Sequence, residues 1–258
     1  MGRTCKSVMV SACTLAFLLI QLAAGKTASA LTGREVVEKS ENAVRANSMV
    51  SVYKITVKTR RWTRTMELKY YEYRHRRTSF SEISSPKKDA GNRFLLIKDN
   101  MWHYVPKLQQ TIKISPSMML NSWMGSDFTN DDIVKESSII NDYSHKLLGE
   151  QTAEGQACLV VELKPKPGAA VVWGKIIYFA RKSDFLPVMQ EFYNEHNVKK
   201  KVMTCSDFRK LGGRIIPTLY KMQSVGKPDR YTLMKIEKIN FNVNIPSRIF
   251  SKQNLERK

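Results

Sequence analysis

The sequence predicts a mainly β fold of antiparallel strands. Apolar and polar side chains alternate along residues 53–57 and again along residues 66–70, which is the pattern of strands with one buried face. Short segments of this kind recur along the chain, and turn-forming residues such as those at 84–91 separate them. No long linker or internal repeat interrupts them, so one β domain is the simplest arrangement.

The first 30 residues have the features of a cleavable secretory signal peptide. Arg3 and Lys6 give a positive start, residues 8–22 are mostly apolar, and residues 28–30 form a small-residue cleavage pattern. The apolar stretch falls short of the roughly 20 strongly apolar residues that a membrane-spanning helix needs. Cleavage and lipidation at Cys13 is a weaker alternative, because it would leave an apolar stretch on the mature protein. We therefore expect cleavage at the end of the small-residue pattern and a periplasmic location.

The mature protein, residues 31–258, is expected to form a single domain. Cleavage removes three basic residues and no acidic one, which lowers the formal charge from +20 to +17. An exported protein of this charge meets anionic lipid and acidic surfaces before it meets nucleic acid, so we expect no nucleic-acid partner. Two cysteines remain, Cys158 and Cys205, and they either pair as a disulfide or stay separate as half-buried thiols.

The predicted elements begin with a helix. Thr32 and Glu35 have the spacing of a capping box, and apolar residues at 36, 37, 43 and 44 follow at roughly helical spacing. After residue 50 the period changes to two, and Gly, Pro, Asn and Asp residues separate the segments. Strands are predicted at residues 50–57, 62–70, 78–83, 94–97, 101–105, 143–148, 158–164, 175–180, 188–193, 198–208, 214–223 and 231–241.

The middle of the chain breaks this alternation. Between residues 115 and 128 the apolar residues cluster without a strand period, which predicts a loop with short helical turns. A helix is predicted near residues 131–136, with Thr129, Asn130 or Asp131 at its start.

Eight short segments resemble, in the same order, segments of the outer-membrane lipoprotein-sorting family, the relatives of LolA, LolB and RseB. Each segment is a weak signal alone, and their order and spacing make the signal specific. The likeness extends over most of the chain after residue 50. The segments lie at residues 101–106, 114–117, 124–129 with 132–133, 147–150, 186–187, 206–208, 213–218 and 241–246.

The resemblance implies a curved, incompletely closed antiparallel β barrel with a helical or loop lid over an apolar cavity. Members of this family shield acyl chains from water while they move lipid or lipidated protein between membranes. The expected function is that of a periplasmic carrier for a lipid or acylated protein. It would work as a monomer without a cofactor, beside a membrane transporter or receptor. A second hypothesis is a periplasmic sensor similar to RseB that regulates a membrane protein.

The cavity and its lid are expected to be lined by large apolar side chains. Burial of each methylene of an acyl chain contributes about 0.8 kcal/mol, so a carrier needs a long apolar lining. Methionine suits this lining, since its flexible side chain can follow a mobile chain. The alternative is that these residues only fill the core. The predicted lining residues are Trp62, Met66, Leu68, Phe94, Leu96, Trp102, Met118, Met119, Trp123, Met124 and Phe128.

Arg64 falls in phase with the apolar face of its strand, where a charge is costly unless it is paired. The resemblance implies a use for it, because the carrier of this family has an early-strand arginine that holds the lid shut by hydrogen bonds. Arg64 is therefore predicted to be a lid latch. The alternative is a bulge or strand end that turns Arg64 to solvent.

Three basic clusters lie in or near predicted hairpin turns. Each basic side chain near an anionic surface can contribute about 1 kcal/mol, so the clusters are predicted to dock on anionic lipid or on an acidic partner. The alternative is a solvated edge that discourages aggregation of the sheet. The clusters are Arg60 and Arg61; Arg74, Arg76 and Arg77; and Lys199, Lys200 and Lys201.

The sequence contains no pattern that favours catalysis or metal binding. The four histidines are scattered without metal-ligand spacing, and residues 125–127 lack the Gly-x-Ser-x-Gly arrangement of a nucleophile elbow. We therefore expect neither an enzyme nor a metal site. A third hypothesis is a polysaccharide binder, because exposed tryptophans stack on sugars. Its candidates are Trp62, Trp102, Trp123 and Trp173.

Overall fold

The structure, a computed structural model, describes Met1 and residues 31–135, 139–169 and 171–257. Apart from Met1, the predicted signal peptide lies outside the described residues. Within the described part of the chain, no helix combines the length and apolar character needed to cross a bilayer. The residues from Leu31 onward group into one compact unit.

The first element is helix α1, Gly33–Val44. Thr32 caps it as predicted: its hydroxyl accepts a hydrogen bond from the N–H of Glu35 at 3.2 Å, and its own N–H donates to the Glu35 carboxylate at 2.8 Å. The helix lies close against the sheet, because a Cβ added at Gly33 would come within 2.8 Å of the backbone nitrogen of Leu147. This contact holds the start of α1 on a strand at the edge of the sheet.

The strands follow the period-two pattern of the sequence and extend several predicted segments by a few residues. A short strand at 110–113 and the full lengths of the later hairpins were not predicted, because strand ends carry little periodic signal. The strands are β1 Ser48–Lys58, β2 Thr63–Tyr73, β3 Thr78–Ser85, β4 Arg93–Ile97, β5 Asn100–Val105, β6 Gln110–Lys113, β7 Tyr143–Ala153, β8 Gln156–Pro165, β9 Lys175–Arg181, β10 Pro187–Tyr193, β11 Lys199–Leu211, β12 Arg214–Ser224 and β13 Tyr231–Phe241.

The thirteen strands of the described residues form one sheet, in the order β6-β5-β4-β3-β2-β1-β13-β12-β11-β10-β9-β8-β7. Two antiparallel meanders, β1–β6 and β7–β13, are joined at the centre where β1 pairs with β13, with Ile55 opposite Met234. β6 and β7 are the two free edges, so the curved sheet does not close. The predicted fold class, an incompletely closed antiparallel barrel, is confirmed.

The two faces of the sheet carry separate apolar clusters, as the alternation predicts. On β8, Val161 and Leu163 pack with α1 on the inner face, while Cys158 and Val160 pack with Phe179 on the outer face. The inner face is covered on the β7–β9 side by α1. On the β1–β5 side it is covered by the chain that links β6 to β7.

Residues 114–133 of this linking chain form what we call the lid. It contains short 3₁₀ helices at Pro116–Met118 and Trp123–Gly125 and the start of helix α2, Asn130–Lys135. Thr129 begins α2, since its hydroxyl accepts from the N–H of Asp132 at 3.1 Å. The predicted helix is therefore confirmed, and the lid runs between the two free edges of the sheet.

The end of the chain covers part of the outer face, which the sequence did not predict. Helix α3, Lys252–Glu256, buries Leu255 against Phe80 and Leu95. Arg93 donates to the carbonyl oxygens of Leu255 and Arg257 at 3.0 and 2.5 Å. This segment fixes β3 and β4 from outside and leaves their inner face to the lid.

Cys158 and Cys205 are buried and are not joined by a disulfide. They lie on β8 and β11, which are not neighbours in the sheet. Of the two alternatives left open by the sequence, the separate thiols are therefore correct.

Candidate functional site

A cavity of about 130 Å³ lies between α1, the lid and strands β9–β13. Its walls are mostly apolar. Three methionines and several aromatic rings from the second meander form its floor, and Phe128 and Ile133 of the lid form its roof. The lining residues are Glu41, Val44, Arg45, Phe128, Asp131, Asp132, Ile133, Ile139, Tyr143, Trp173, Ile176, Tyr178, Pro187, Gln190, Phe192, Met203, Tyr220, Met222 and Met234.

A second cavity of about 90 Å³ lies on the first-meander side, beneath Trp123 of the lid. Its other walls come from strands β1, β2, β3, β12 and β13, including Ile55, Leu68 and Ile236, and from the end of α1 and the lid. The two cavities adjoin, because they share six lining residues. The shared residues are Val44, Arg45, Phe128, Ile133, Tyr220 and Met234.

Among the described residues, Arg45 is the one cationic side chain that lines both cavities, and carboxylates neutralise it. Its guanidinium is buried, forms an ion pair with Glu72 and lies 3.8 Å from the Glu41 carboxylate. A buried charge is tolerated when it is paired in this way. Burial also raises the pKa of the Tyr143 phenol well above its usual value, with Asp131 as the next contributor. Tyr143 therefore stays neutral, and the cavity remains a largely apolar space.

Three of the predicted lining residues, Leu68, Trp123 and Phe128, line a cavity. Six more lie beside it, in the inner-face cluster that packs between the lid and strands β1–β5. These six are Met66, Phe94, Leu96, Met118, Met119 and Met124.

Trp62 and Trp102 do not lie where the sequence predicted. Trp62 precedes β2 in a turn, is 45% exposed, and places its ring 5.5 Å from the guanidinium of Arg64. Trp102 lies between Met101 and His103 on β5 and therefore faces outward, where it packs with the chain terminus and lies 4.9 Å from the ammonium of Lys252. For Trp62, strand β2 begins one residue later than predicted. For Trp102, the alternating pattern identified the strand without identifying the face that the lid covers.

The lining contributed by β9–β13 was missed altogether. Tyr178, Phe192, Met203, Met222 and Met234 come from five consecutive strands and form most of the floor of the larger cavity. Their period-two spacing was visible in the sequence. No local pattern indicates that these strands curve under the lid.

The tryptophans do not form a sugar-stacking surface. Trp123 and Trp173 are buried beneath and beside the lid, and the indole N–H of Trp173 donates to Asp132 at 2.9 Å. The indole N–H of Trp123 is buried and has no acceptor among the described residues. A hydrogen-bond donor without an acceptor thus lies beside an apolar cavity.

Arg64 reaches the lid. It donates to the backbone carbonyl of Met124 and forms an ion pair with Asp89 at 3.4 Å. Met124 has a left-handed backbone conformation, with φ of 49°, which is uncommon outside glycine. The contact therefore holds the lid at a turn of restricted geometry.

The carboxylate of Asp127 in the lid accepts three hydrogen bonds from the second meander. Its side chain is 1% exposed and accepts from Arg230 at 2.9 Å, from Thr232 at 2.9 Å and from Ser224 at 3.3 Å. Its backbone carbonyl accepts from Lys201 at 2.5 Å. These partners lie on β11–β13 or the turn between them, whereas Arg64 lies on β2. The lid is thus attached to both halves of the sheet.

Lys201 was predicted to dock on an external surface, and this is wrong. Its side chain is 12% exposed and pairs with Asp132 of the lid at 3.2 Å. Its neighbour Lys199 pairs with Glu191 at 2.6 Å, and Lys200 is exposed. Alternation along β11 explains the difference, because the first and third lysines point to one face and the second to the other.

The remaining basic clusters lie at opposite ends of the sheet. In an antiparallel meander, alternate turns share an end. Arg60 and Arg61 lie in the β1–β2 turn, at what we call the Trp62 end, together with the turns at 86–92, 106–109, 166–174, 194–198 and 225–230. Arg74, Arg76 and Arg77 lie in the β2–β3 turn, at the Arg76 end, together with the turns at 98–99, 154–155, 182–186 and 212–213.

This chain is similar to solved structures with the same architecture, and it aligns with nearly the whole length of each of the three described next. A DUF1329 family protein from Desulfovibrio piger superposes with a TM-score of 0.79 at 20% identity, over 86% of this chain and 97% of its own. A protein from Vibrio parahaemolyticus, described as a candidate outer membrane lipoprotein-sorting protein domain, has a TM-score of 0.75 at 21% identity, over 87% and 98%. A LolA superfamily protein from Nitrosomonas europaea has a TM-score of 0.74 at 20% identity, over 87% and 100%.

The open antiparallel half-barrel, the lid between its edges and the apolar cavities define a LolA-like fold, so the resemblance seen in the sequence is confirmed for the architecture. The chain belongs to the family described as "Uncharacterized protein", whose pattern matches residues 75–257. Among curated proteins, no match was found.

Proposed function

We propose that this protein is a periplasmic carrier that binds acyl chains of a lipid or lipoprotein in the paired cavities. The observation that carries the proposal is the pair of adjoining apolar cavities beneath a lid held to the sheet largely by side chains. Each methylene moved from water into such a space contributes about 0.8 kcal/mol, so a long chain binds without a specific polar contact. The cited neighbours of the same fold, one described as a candidate lipoprotein-sorting domain, support the same kind of cargo.

The size of the cavities requires the lid to move. At about 130 and 90 Å³ they are smaller than the ~300–1,000 Å³ of typical ligand sites. Phe128 and Ile133 project from the lid into the space between them. Movement of these two side chains would merge the cavities into one apolar channel from β2 to β9.

The contact between Arg64 and the carbonyl of Met124 supports the predicted latch. Arg64 has the same inward phase as the apolar residues of β2, and its charge is balanced by Asp89. An arginine placed there adds nothing to the apolar lining, whereas it does hold the lid. In the proposed cycle, this hydrogen bond breaks when cargo enters.

Trp123 suggests how the polar end of the cargo is accommodated. Its indole N–H is buried without an acceptor among the described residues, which is costly unless a ligand supplies one. An ester or carboxyl oxygen of an acylated cargo has the required chemistry. We propose that the first oxygen of the acyl group is bound there while the chain extends into the cavities.

No catalytic step is part of the proposal. Among the described residues, no three His, Cys, Asp or Glu side chains are grouped to hold a metal ion. A carrier needs only binding and release. The second hypothesis, a sensor of the RseB kind, would use the same cavities to recognise a membrane protein.

The decisive experiment combines lipid analysis with a cavity-filling variant. Mass spectrometry of organic extracts of the native protein should detect acylated lipid. Met234→Trp, which fills the wall shared by both cavities, should abolish binding of a fluorescent fatty acid, whereas Met189→Trp on the outer face should retain it. A lipid-free protein whose two variants bind equally would refute the carrier, and absence of lipid transfer between vesicles with a stable protein partner would favour the sensor.

A further inference from the structure

Four of the eight exposed large apolar side chains described after residue 30 lie in turns at one end of the sheet, whereas Ile215, at the start of β12, is exposed near the other end. Four of the turns at the Trp62 end each expose a large apolar residue: Trp62, Leu108, Val198 and Val225, all 45% exposed or more. In the described turns of the Arg76 end, no large apolar side chain is exposed. Successive turns of the sheet lie at alternate ends, so the four exposed apolar side chains all lie along the same rim.

Three of these turns are direct neighbours. The β1–β2 and β12–β13 turns contact each other through Arg60 and Asp229, 3.9 Å apart, and together line an open groove. The N–H of Val225 donates to the carbonyl of Lys200 at 2.9 Å, which joins the next hairpin. Trp62, Val225 and Val198 therefore project from consecutive hairpins along the rim.

The same rim is more basic than the other end. The described turns at the Trp62 end contain eight basic residues and three acidic ones, Asp89, Glu195 and Asp229. One of the acidic residues, Asp89, already pairs with Arg64. The Arg76 end has five basic and three acidic residues in its turns. The basic residues of the Trp62 end are Arg60, Arg61, Lys87, Lys88, Lys107, Lys166, Lys227 and Arg230.

We propose that the Trp62 end is a docking surface for an anionic lipid bilayer. Single apolar side chains on separate hairpin tips suit shallow insertion at the headgroup level, where tryptophan is favoured. Basic residues between them suit the phosphates of anionic lipid. A protein partner would more often meet a contiguous apolar patch with a charged rim, and these tips are separated by charged turns.

The lid is anchored next to this surface. Arg230 lines the groove between the two turns and also donates to Asp127 of the lid at 2.9 Å. The Asp127 attachment of the lid therefore lies next to the proposed membrane-docking surface. The benefit of docking rests on the proposed carrier function, whereas docking itself requires no cargo and is measured without it.

The test is co-sedimentation with vesicles of phosphatidylcholine alone or mixed with phosphatidylglycerol. The protein should sediment with the mixed vesicles, only weakly with the neutral ones, and less as salt increases. The triple variant Arg60→Glu, Arg61→Glu, Lys227→Glu should bind the mixed vesicles about tenfold or more weakly. Its matched control carries the same charge change at the other end: Arg76→Glu, Lys98→Glu, Lys210→Glu.

The apolar tips are tested in the same assay. Trp62→Ser with Val225→Ser should weaken vesicle binding, and Ile215→Ser with Leu148→Ser, which changes exposed apolar residues elsewhere, should not. Equal effects of test and control variants, or equal binding to neutral vesicles, would overturn the docking surface. Thermal unfolding establishes that each variant is folded. The Met234→Trp variant separates the two proposals, because it should lose fatty-acid binding and keep vesicle binding.

Discussion

Asp127 and Thr232 bind each other twice. The backbone N–H of Asp127 donates to the Thr232 hydroxyl at 2.8 Å, and that hydroxyl donates to the Asp127 carboxylate at 2.9 Å. Both residues are buried, and they join the lid to β13 at a point between the larger cavity and the Trp62 end. The pair therefore joins the lid to the second meander through two reciprocal hydrogen bonds.

Loss of this pair should loosen the lid more than the sheet. Thr232→Val leaves the buried Asp127 carboxylate with one donor fewer, which should lower the free energy of unfolding by about 1–3 kcal/mol. Hydrogen exchange measured by mass spectrometry should increase in residues 121–133 while β1 and β13 remain protected. Asp184→Asn, which disrupts an ion pair with Arg181 away from the lid, serves as the control. Uniform exchange across both regions would contradict the prediction.

Arg64→Leu should speed cargo release. The change removes the hydrogen bond to the Met124 carbonyl, and a net hydrogen bond to a charged group contributes about 1.5–3 kcal/mol, so dissociation of a bound fluorescent fatty acid should be at least about tenfold faster. Stopped-flow displacement measures this rate. Arg181→Leu removes a comparably buried arginine from outside the lid and should leave the rate unchanged. A rate unaffected by Arg64→Leu would exclude the latch.

Trp123→Phe should discriminate between cargo with and without an acyl oxygen. The substitution keeps an aromatic ring in the second cavity and deletes the N–H donor. Affinity for a fatty acid should decrease by about five- to tenfold, the value of one hydrogen bond, while affinity for an alkyl probe of equal length should change little. Calorimetry with both ligands measures the difference. An equal loss for both would indicate that Trp123 acts only by packing.

His103 should make the protein less stable in mild acid. Burial lowers the pKa of His103 to about 4 from 6.5, and its ring stacks on Phe94 with Nε2 2.7 Å from the Asn92 side chain. The unfolded chain therefore binds a proton at higher pH than the folded one. The stability that the neutral His103 contributes is fully present above pH 6.5 and is lost as the pH falls. By pH 4 the free energy of unfolding should have decreased by about 2–3 kcal/mol through this residue.

The matched variant for this effect is His103→Gln, which cannot titrate and can still donate to Asn92. Urea unfolding between pH 7 and pH 4 should show a steeper loss of stability for the native protein than for the variant. Other groups that titrate in this range contribute to both curves. Parallel curves would show that His103 does not set the acid sensitivity.

Docking on anionic vesicles should weaken the attachment of the lid. Arg230 donates to Asp127 and also lines the groove at the Trp62 end, so a lipid phosphate in that groove competes for the same guanidinium. Hydrogen exchange in residues 121–133 should increase when vesicles containing phosphatidylglycerol are added, and neutral vesicles should have no such effect. If exchange slows or stays constant on anionic vesicles, docking and lid opening are independent.

Local signals in the sequence predicted the elements well. The capping box at Thr32 and Glu35 begins the first helix, and the segment predicted at 231–241 is strand β13. These signals depend on residues a few positions apart, so they can be recognised without knowledge of the rest of the fold. Helix α3 was not predicted, because its five residues are too few to show a helical period.

The cavity was predicted less well because its geometry is non-local. Alternation assigns Trp102 to a strand, yet only the pairing of β5 with β4 and the position of the lid decide that this ring faces outward. Lys201 shows the same limit. A basic residue at the start of a strand is expected to face solvent, and no local pattern indicates that Asp132 of the lid lies opposite it. The curvature that brings Met222 and Met234 beneath the lid arises from the whole sheet.

The lid is part of the segment that links β6 to β7, the two free edges of the sheet. Both of its ends are consequently fixed to strands whose own pairing does not depend on whether the lid is open. A segment tethered in this way stays at a high local concentration near its binding partners, so reclosing is an intramolecular event that needs no search in solution. In the proposed carrier cycle, opening would break the contacts of the lid and leave the strand ladders intact, so that cargo would be loaded and released without unfolding of the barrel.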